Sequence, residues 1–241
     1  QYAELLTTAD LDGFVLTATH HGDPRTRWLS ERGVAFATFG RPWEGDDDTE
    51  PLDHPWVDVD GAAGTRAAVE HLRGLGHERI AFVGWPSGSD TGDDRRRGWR
   101  RAMTEAGRWH DGELDALDVG VPDGVAAGAE ATARLVELVA PTAVVCASDS
   151  LALGALGAVR DAAAHPSAPG PIAVVGFDDT PVAAAVGLTS VAQPLAEAAD
   201  RTLRPLLDQL AGTAPGPAGT QLLSPNLVVR ASSVRATPGG R

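Results

Sequence analysis

Four apolar runs in this chain end in groups suited to holding a polar ligand. WVDVD closes at Asp60, before Gly61, and RIAFVG is followed by Trp85. TAVVCA leads into Ser148 and Asp149, and PIAVVGF ends in Asp178, Asp179, Thr180 and Pro181. Carboxylates accept paired hydroxyl hydrogen bonds, and an aromatic face takes C–H surface, so the combination suits a sugar or a similar polyol. The run RRRGWRR (95–101) adds guanidinium groups, one of which could clamp such a ligand. Each feature also has a structural reading that local sequence leaves open. Asp178-Asp179-Thr180-Pro181 is equally a helix start, with an acid or threonine cap and proline at the first helical position. Ser148-Asp149-Ser150 has the same ambiguity. Asp60 could end a strand, Trp85 could cover the core edge, and the arginine run could be a solvated helix face with Trp99 buried.

Catalytic readings find little support. All 20 basic residues are arginine, so a P-loop lysine, a Schiff-base lysine and a lysine general base are excluded together. There is no G-x-S-x-G, H-E-x-x-H, C-x-x-C or G-x-G-x-x-G. The 7 histidines show no metal-ligand spacing beyond adjacent His20 and His21. Cys146 sits inside an apolar run and reads as a core residue. Paired acids can hydrolyse glycosides, but only at a carboxyl separation that sequence does not give. The expectation is a binding protein with no enzymatic activity and no cofactor.

The elements that position these groups alternate. Apolar runs at 14–17, 34–40, 56–60, 79–85, 142–149, 171–179, 188–194 and 222–230 read as strands. Helical patterns at 61–76, 93–107, 128–140, 150–164 and 194–212 lie between them. Near-continuous apolar strands alternating with helices predict a doubly wound α/β fold with parallel sheets. In such sheets ligands bind beyond the carboxyl ends of the strands, where the polar groups above fall. The stretches 41–55 and 211–220 read as an exposed charged loop and a Pro/Gly linker, and 236–241 as a tail.

Composition narrows the partners. The 241 residues, 43% hydrophobic, suffice for one large domain or two lobes. A net charge of −13 repels phosphate backbones, so this segment is a poor nucleic-acid binder by itself. A single cysteine excludes an internal disulfide and, with no signal-peptide pattern and no long apolar stretch, leads us to expect a cytoplasmic chain that makes no membrane contact.

Taken in order, the motifs carry a resemblance. DGFVLT, VDVDGAAGTRAAVEHLRGLGHERIAFVG, RRGWRRAMTEAG, TAVVCASDSLALGALGAVRD, PIAVVGFDDTPVAA, LTSVAQPLAEAADR and LVVRASS follow one another between about residues 11 and 234. The set resembles the effector-binding region of the lactose-repressor (LacI/GalR) family of bacterial transcription regulators. That resemblance implies the type I periplasmic-binding-protein fold, two doubly wound lobes with a ligand cleft between them. The N-lobe would hold 1–77 and 192–218, and the C-lobe 78–191 and 219–235. It implies a small effector, a carbohydrate or derivative, whose binding switches DNA binding by helix-turn-helix heads on a homodimer; a transport-type solute-binding protein on the same fold is the alternative. The helix-turn-helix head is expected to be missing from this chain, together with the first strand, first helix and second strand of the N-lobe.

By position, Asp178 matches the family's sugar-binding aspartate after V-G-[FY]. Arg95, three residues before Gly98-Trp99, matches its ligand-clamping arginine. Ser148 stands where the family often has a ligand-contacting asparagine. Asp60 matches the aspartate of V-x-V-D-N, with Gly61 replacing the asparagine, and Asp123 falls where an aromatic residue often packs on the ligand. These departures imply an altered pocket, with Trp85 supplying the missing aromatic face.

Overall fold

The computed structural model describes residues 2–9, 11–43, 53–107, 109–164, 170–213 and 221–233. The middle of the expected 41–55 loop, most of the Pro/Gly linker and the tail lie outside these residues.

In chain order the elements are α1 (Tyr2–Thr8), β1 (Gly13–Thr17), α2 (Pro24–Ser30), β2 (Ala35–Phe39), β3 (Trp56–Val59), α3 (Gly61–Gly74) and β4 (Ile80–Gly84). Then come α4 (Asp90–Glu105), α5 (Asp111–Leu114), a 3₁₀ turn at Asp115–Leu117, β5 (Asp118–Gly120), α6 (Val125–Val139), β6 (Ala143–Cys146) and α7 (Asp149–Ala163). The chain continues through β7 (Ala173–Asp178), α8 (Pro181–Val186), β8 (Thr189–Ala192), α9 (Leu195–Leu210), β9 (Gln221–Leu223) and β10 (Asn226–Val228). Packing divides it into two units, Gln1–Val59 with Pro194–Leu223, and Asp60–Gln193 with Ser224–Arg241. The resemblance groups α3 with the first lobe. By packing it joins the second unit, because it crosses α4 and touches β6, β7, β8 and β10.

The first unit is a four-stranded parallel sheet in the order β1-β2-β3-β9. Helix α9 lies on β1, β2 and β3 and buries Ala198, Thr202 and Leu206, one stripe at helical spacing. Its apolar clusters are small: Leu16, Leu29 and Phe36 form one, and Val57, Ala198 and Leu223 another.

The second unit carries the larger core and every candidate site residue. Its six strands run β10-β8-β7-β6-β4-β5. All neighbours are parallel except β10, which pairs antiparallel with β8. The segment 222–230, expected as one strand, is therefore split: β9 and β10 belong to different sheets, and Ser224-Pro225 falls between them. Every residue of β4 and β6 is buried, which requires cover on both faces of the sheet. Trp99 anchors the core with no exposed surface, stacks on Phe82 and donates its indole N–H to Ile80 O at 3.1 Å. Its arginine neighbours are matched to acids: Arg96 to Asp93 and Asp118, Arg97 to Asp94, Arg100 to Asp115 and Asp118, and Arg101 to Glu105. The RRRGWRR run is a salt-bridged helix face, not an unpaired basic patch.

Helices α3 and α4 touch closely at Gly98. A Cβ there would overlap the carbonyl oxygen of Ala62 and the hydroxyl of Thr65. Gly98→Ala is expected to destabilise the second unit by about 2 kcal/mol, seen as a lower urea midpoint. Gly157, on α7, meets nothing within 4 Å, so Gly157→Ala serves as the control and should hold or slightly raise the midpoint.

Candidate ligand-binding site

The sheet of the second unit delivers its polar groups at one edge, the carboxyl ends of β4, β6 and β7. Strand β7 ends on Asp178, whose backbone leaves the extended region at φ 111°, and Asp179 follows in the left-handed region at φ 52°. Two consecutive non-glycine residues at positive φ store strain, about 1–3 kcal/mol each, and persist only where neighbours hold them. The neighbour is Asp149, buried at the start of α7. Its Oδ2 accepts from Thr180 N at 2.7 Å and its Oδ1 from Ser190 Oγ at 2.6 Å. Ser190 Oγ in turn accepts from Asp179 N at 3.0 Å. Gly176 leaves room for this carboxylate, since a Cβ there would overlap Asp149 Oδ1. Sequence left Asp149 between a ligand-facing group and a helix start, and it is the brace of the turn.

The turn aims Asp178 at the open edge. Asp178 Oδ1 accepts from Gln193 Nε2 at 2.7 Å and lies 3.6 Å from Arg95 Nη1. Burial pushes its carboxyl up to about 6. Arg95 and the Gln193 hydrogen bond pull it down, and the charges of Asp149 and Asp123 add to the rise. Arg95 is itself buried: its guanidinium lies 3.7 Å from the Phe177 ring centroid and 5.3 Å from that of Trp85, and Nη1 donates to Ala147 O. Gln193 was missed from the sequence. It follows β8, and the pairing of Asp178 with Ala192 brings it alongside.

A second group stands at the same edge. Trp85 donates its indole N–H to Asp123 Oδ1 at 3.1 Å, and Ser148 donates its hydroxyl to the same oxygen at 2.5 Å. Ser148 also caps α7, accepting from Leu151 N at 3.2 Å. The capping reading therefore holds for this residue, whose hydroxyl also supports Asp123. Arg96 fixes the Trp85 backbone by donating to its carbonyl. Asp60 caps α3 through Ala63 N at 2.8 Å. Its neighbour Gly61 packs on the stem of Arg95, a Cβ there falling 3.0 Å from Arg95 Cγ. Among the described residues no hydrogen bond or ion pair links the Asp60 carboxylate to the other candidates.

One expected cap is corrected. Thr180 caps α8, accepting from Ala183 N at 3.2 Å with Pro181 at the first helical position. Asp179 takes no part in capping; it pairs with Arg230 at 2.6 Å, which ties the turn to the segment after β10.

The arrangement offers carboxylates, a hydroxyl, an amide, a guanidinium and an indole face, which together can hydrogen-bond and stack on a polyol. Cys146 is fully buried and its thiol is pushed well above its usual range by desolvation, so it carries no nucleophile. Among the described residues no group of three or more histidine, cysteine or acidic side chains could hold a metal ion, and no helix is long and apolar enough to cross a membrane.

Comparison with known proteins gives the family of the chain. The family described as periplasmic binding protein-like domain matches residues 69–233. The HTH-type transcriptional regulator CelR of Thermobifida fusca is 34% identical over 92% of the chain, which spans 63% of that relative's length. The HTH-type transcriptional regulator reg1 of Streptomyces lividans is 31% identical over 100% of the chain and 69% of its own length. Among solved structures, a regulatory protein of the LacI family from Chloroflexus aggregans superposes with a TM-score of 0.82 at 34% identity, covering 98% of this chain and 81% of that one. A CelR–cellobiose complex gives 0.81 at 31% identity, with 96% and 68% covered.

Proposed function

This chain belongs to the LacI-type transcriptional regulators, in the region carrying the periplasmic-binding-protein-like domain, and from that premise we propose that it senses a small sugar or sugar derivative. The observation that carries the reading is the convergence of Asp178, Gln193 and Arg95 with Trp85, Asp123 and Ser148 at one sheet edge, with Asp178 held there in a braced, strained turn. In this reading Asp178 accepts from sugar hydroxyls and Arg95 donates to them. Trp85 covers the apolar face of the ring, while Ser148, Asp123 and Asp60 complete the polar wall. Differential affinity for two arrangements of the protein would pass the signal to a DNA-binding segment of the whole regulator, acting as a homodimer in the cytoplasm. The site binds and does no chemistry.

The test is calorimetry and thermal shift against a sugar panel that starts with cellobiose, the ligand named in the CelR complex. At least one sugar is expected to raise the melting temperature and to give saturable heat with a Kd below about 1 mM. The site assignment fails if Asp178→Ala and Arg95→Ala each leave that binding unchanged.

A further inference from the structure

We propose that the site selects a sugar bearing a protonated amine, that Asp123 reads the amine, and that phosphorylated and acidic sugars are turned away. This rests on the sugar-sensing reading above and adds the charge class of the ligand.

Two independent observations carry it. The first is an excess of carboxylates at the edge. Asp178 is close enough to Asp149 and Asp123 for both to raise its affinity for a proton. The cation facing Asp178 is Arg95, and its charge is already engaged by Asp178, by Ala147 O and by the Phe177 ring. Other arginines of the unit are turned elsewhere: Arg230 to Asp179 and Leu188 O, Arg96 to Asp93, Asp118 and the Trp85 carbonyl. A ligand that brings a further negative charge meets like charges at contact distance, well inside the ~8–10 Å over which salt screens.

The second is the geometry of Asp123. Both protein donors, the Trp85 indole and the Ser148 hydroxyl, go to Oδ1. Among the described residues nothing hydrogen-bonds to Oδ2, and the residue is exposed. A carboxylate held by one oxygen at the edge of the indole leaves its other oxygen for a ligand group that reaches this edge. A hydroxyl can use this oxygen. An ammonium group uses it and also offsets the repulsion between Asp123 and Asp178, which a neutral hydroxyl does not.

The test uses matched sets: glucose, glucosamine and glucose 6-phosphate, the galactose and mannose equivalents, and cellobiose beside the disaccharide of glucosamine. By calorimetry at pH 7.5, at least one amine is expected to bind about fivefold tighter than its neutral parent, the upper end for one exposed ion pair. No phosphate ester is expected to bind. Asp123→Asn keeps an oxygen for Trp85 and Ser148, so the turn and loop stay supported. In that variant the amine-to-parent ratio should fall below about threefold, whatever happens to the parent's own affinity. Binding of a neutral parent with no amine in the panel tighter than its own parent, or binding of a phosphate ester, overturns the charge class while leaving sugar sensing intact. Silence from the whole panel overturns the sugar-sensing reading and the inference with it.

Discussion

Asp149→Ala is expected to destabilise the second unit by about 3 kcal/mol and to abolish effector binding, although the residue is placed behind the binding surface. The carboxylate is buried and makes two hydrogen bonds, from Thr180 N at 2.7 Å and from Ser190 Oγ at 2.6 Å. Bonds to a charged acceptor are worth about 1.5–3 kcal/mol each, and removing the acceptor leaves the half-buried Thr180 N–H without this partner. The turn loses its brace as well. With φ of 111° at Asp178 and 52° at Asp179, the chain relaxes toward ordinary dihedrals once Thr180 N and Ser190 are released. Asp178 then swings away from Arg95 and Gln193. Urea unfolding reads the first effect and calorimetry the second. Ser190→Ala removes one link while keeping the Thr180 bond, and should cost about 1 kcal/mol with affinity lowered by roughly tenfold. A folded Asp149→Ala protein that binds the effector as the parent does would show that the turn stands without its brace.

The role of Asp149 also marks where the sequence stops being readable. The gathering of Trp85, Ser148, Asp178 and Arg95 is legible because three of them stand where an apolar run ends, and doubly wound sheets place all such ends on one edge. Arg95 adds the spacing to Gly98-Trp99. The brace is not legible, because it depends on register: Gly176 pairs with Ser190, and only that pairing puts Ser190 beside both Asp149 and the turn. Gln193 reaches Asp178 through the same register. Asp179 looked like a cap because a local pattern sees Thr180-Pro181 next to it, whereas its partner Arg230 lies 51 residues away. Helix starts slipped for a related reason. The helix expected from 93 begins at Asp90, capped by Ser89, and the one expected from 128 begins at Val125 after Gly124, at φ 141°. Side-chain caps and positive-φ glycines set those ends, and hydrophobic period does not report them.

Asp178→Asn is expected to do two opposite things: lower sugar affinity by more than 100-fold, and make the protein more stable at neutral pH. The carboxyl's proton affinity is raised in the folded state, from 3.8 to about 6. Between those values the folded protein holds more protons than the unfolded chain. Its stabilising contribution is therefore full below about pH 4 and is lost as pH climbs through 6, so the ionised group is a liability at pH 7.5. The whole shift corresponds to about 3 kcal/mol, but the side chain is 33% exposed and solvent screening reduces that to about 1 kcal/mol. Asparagine removes the liability, so chemical denaturation should show a gain of about 1 kcal/mol at pH 7.5 and a flatter profile between pH 4 and 6. Binding moves the other way, since a charged acceptor of sugar hydroxyls is lost and Arg95 loses its paired anion; more than 100-fold corresponds to about 3 kcal/mol. The same titration predicts that wild-type affinity falls about tenfold from pH 7 to pH 5, as Asp178 takes up its proton, and that the asparagine variant shows no such fall. A wild-type affinity that stays level across that range would mean that the ionised form of Asp178 is not what holds the sugar.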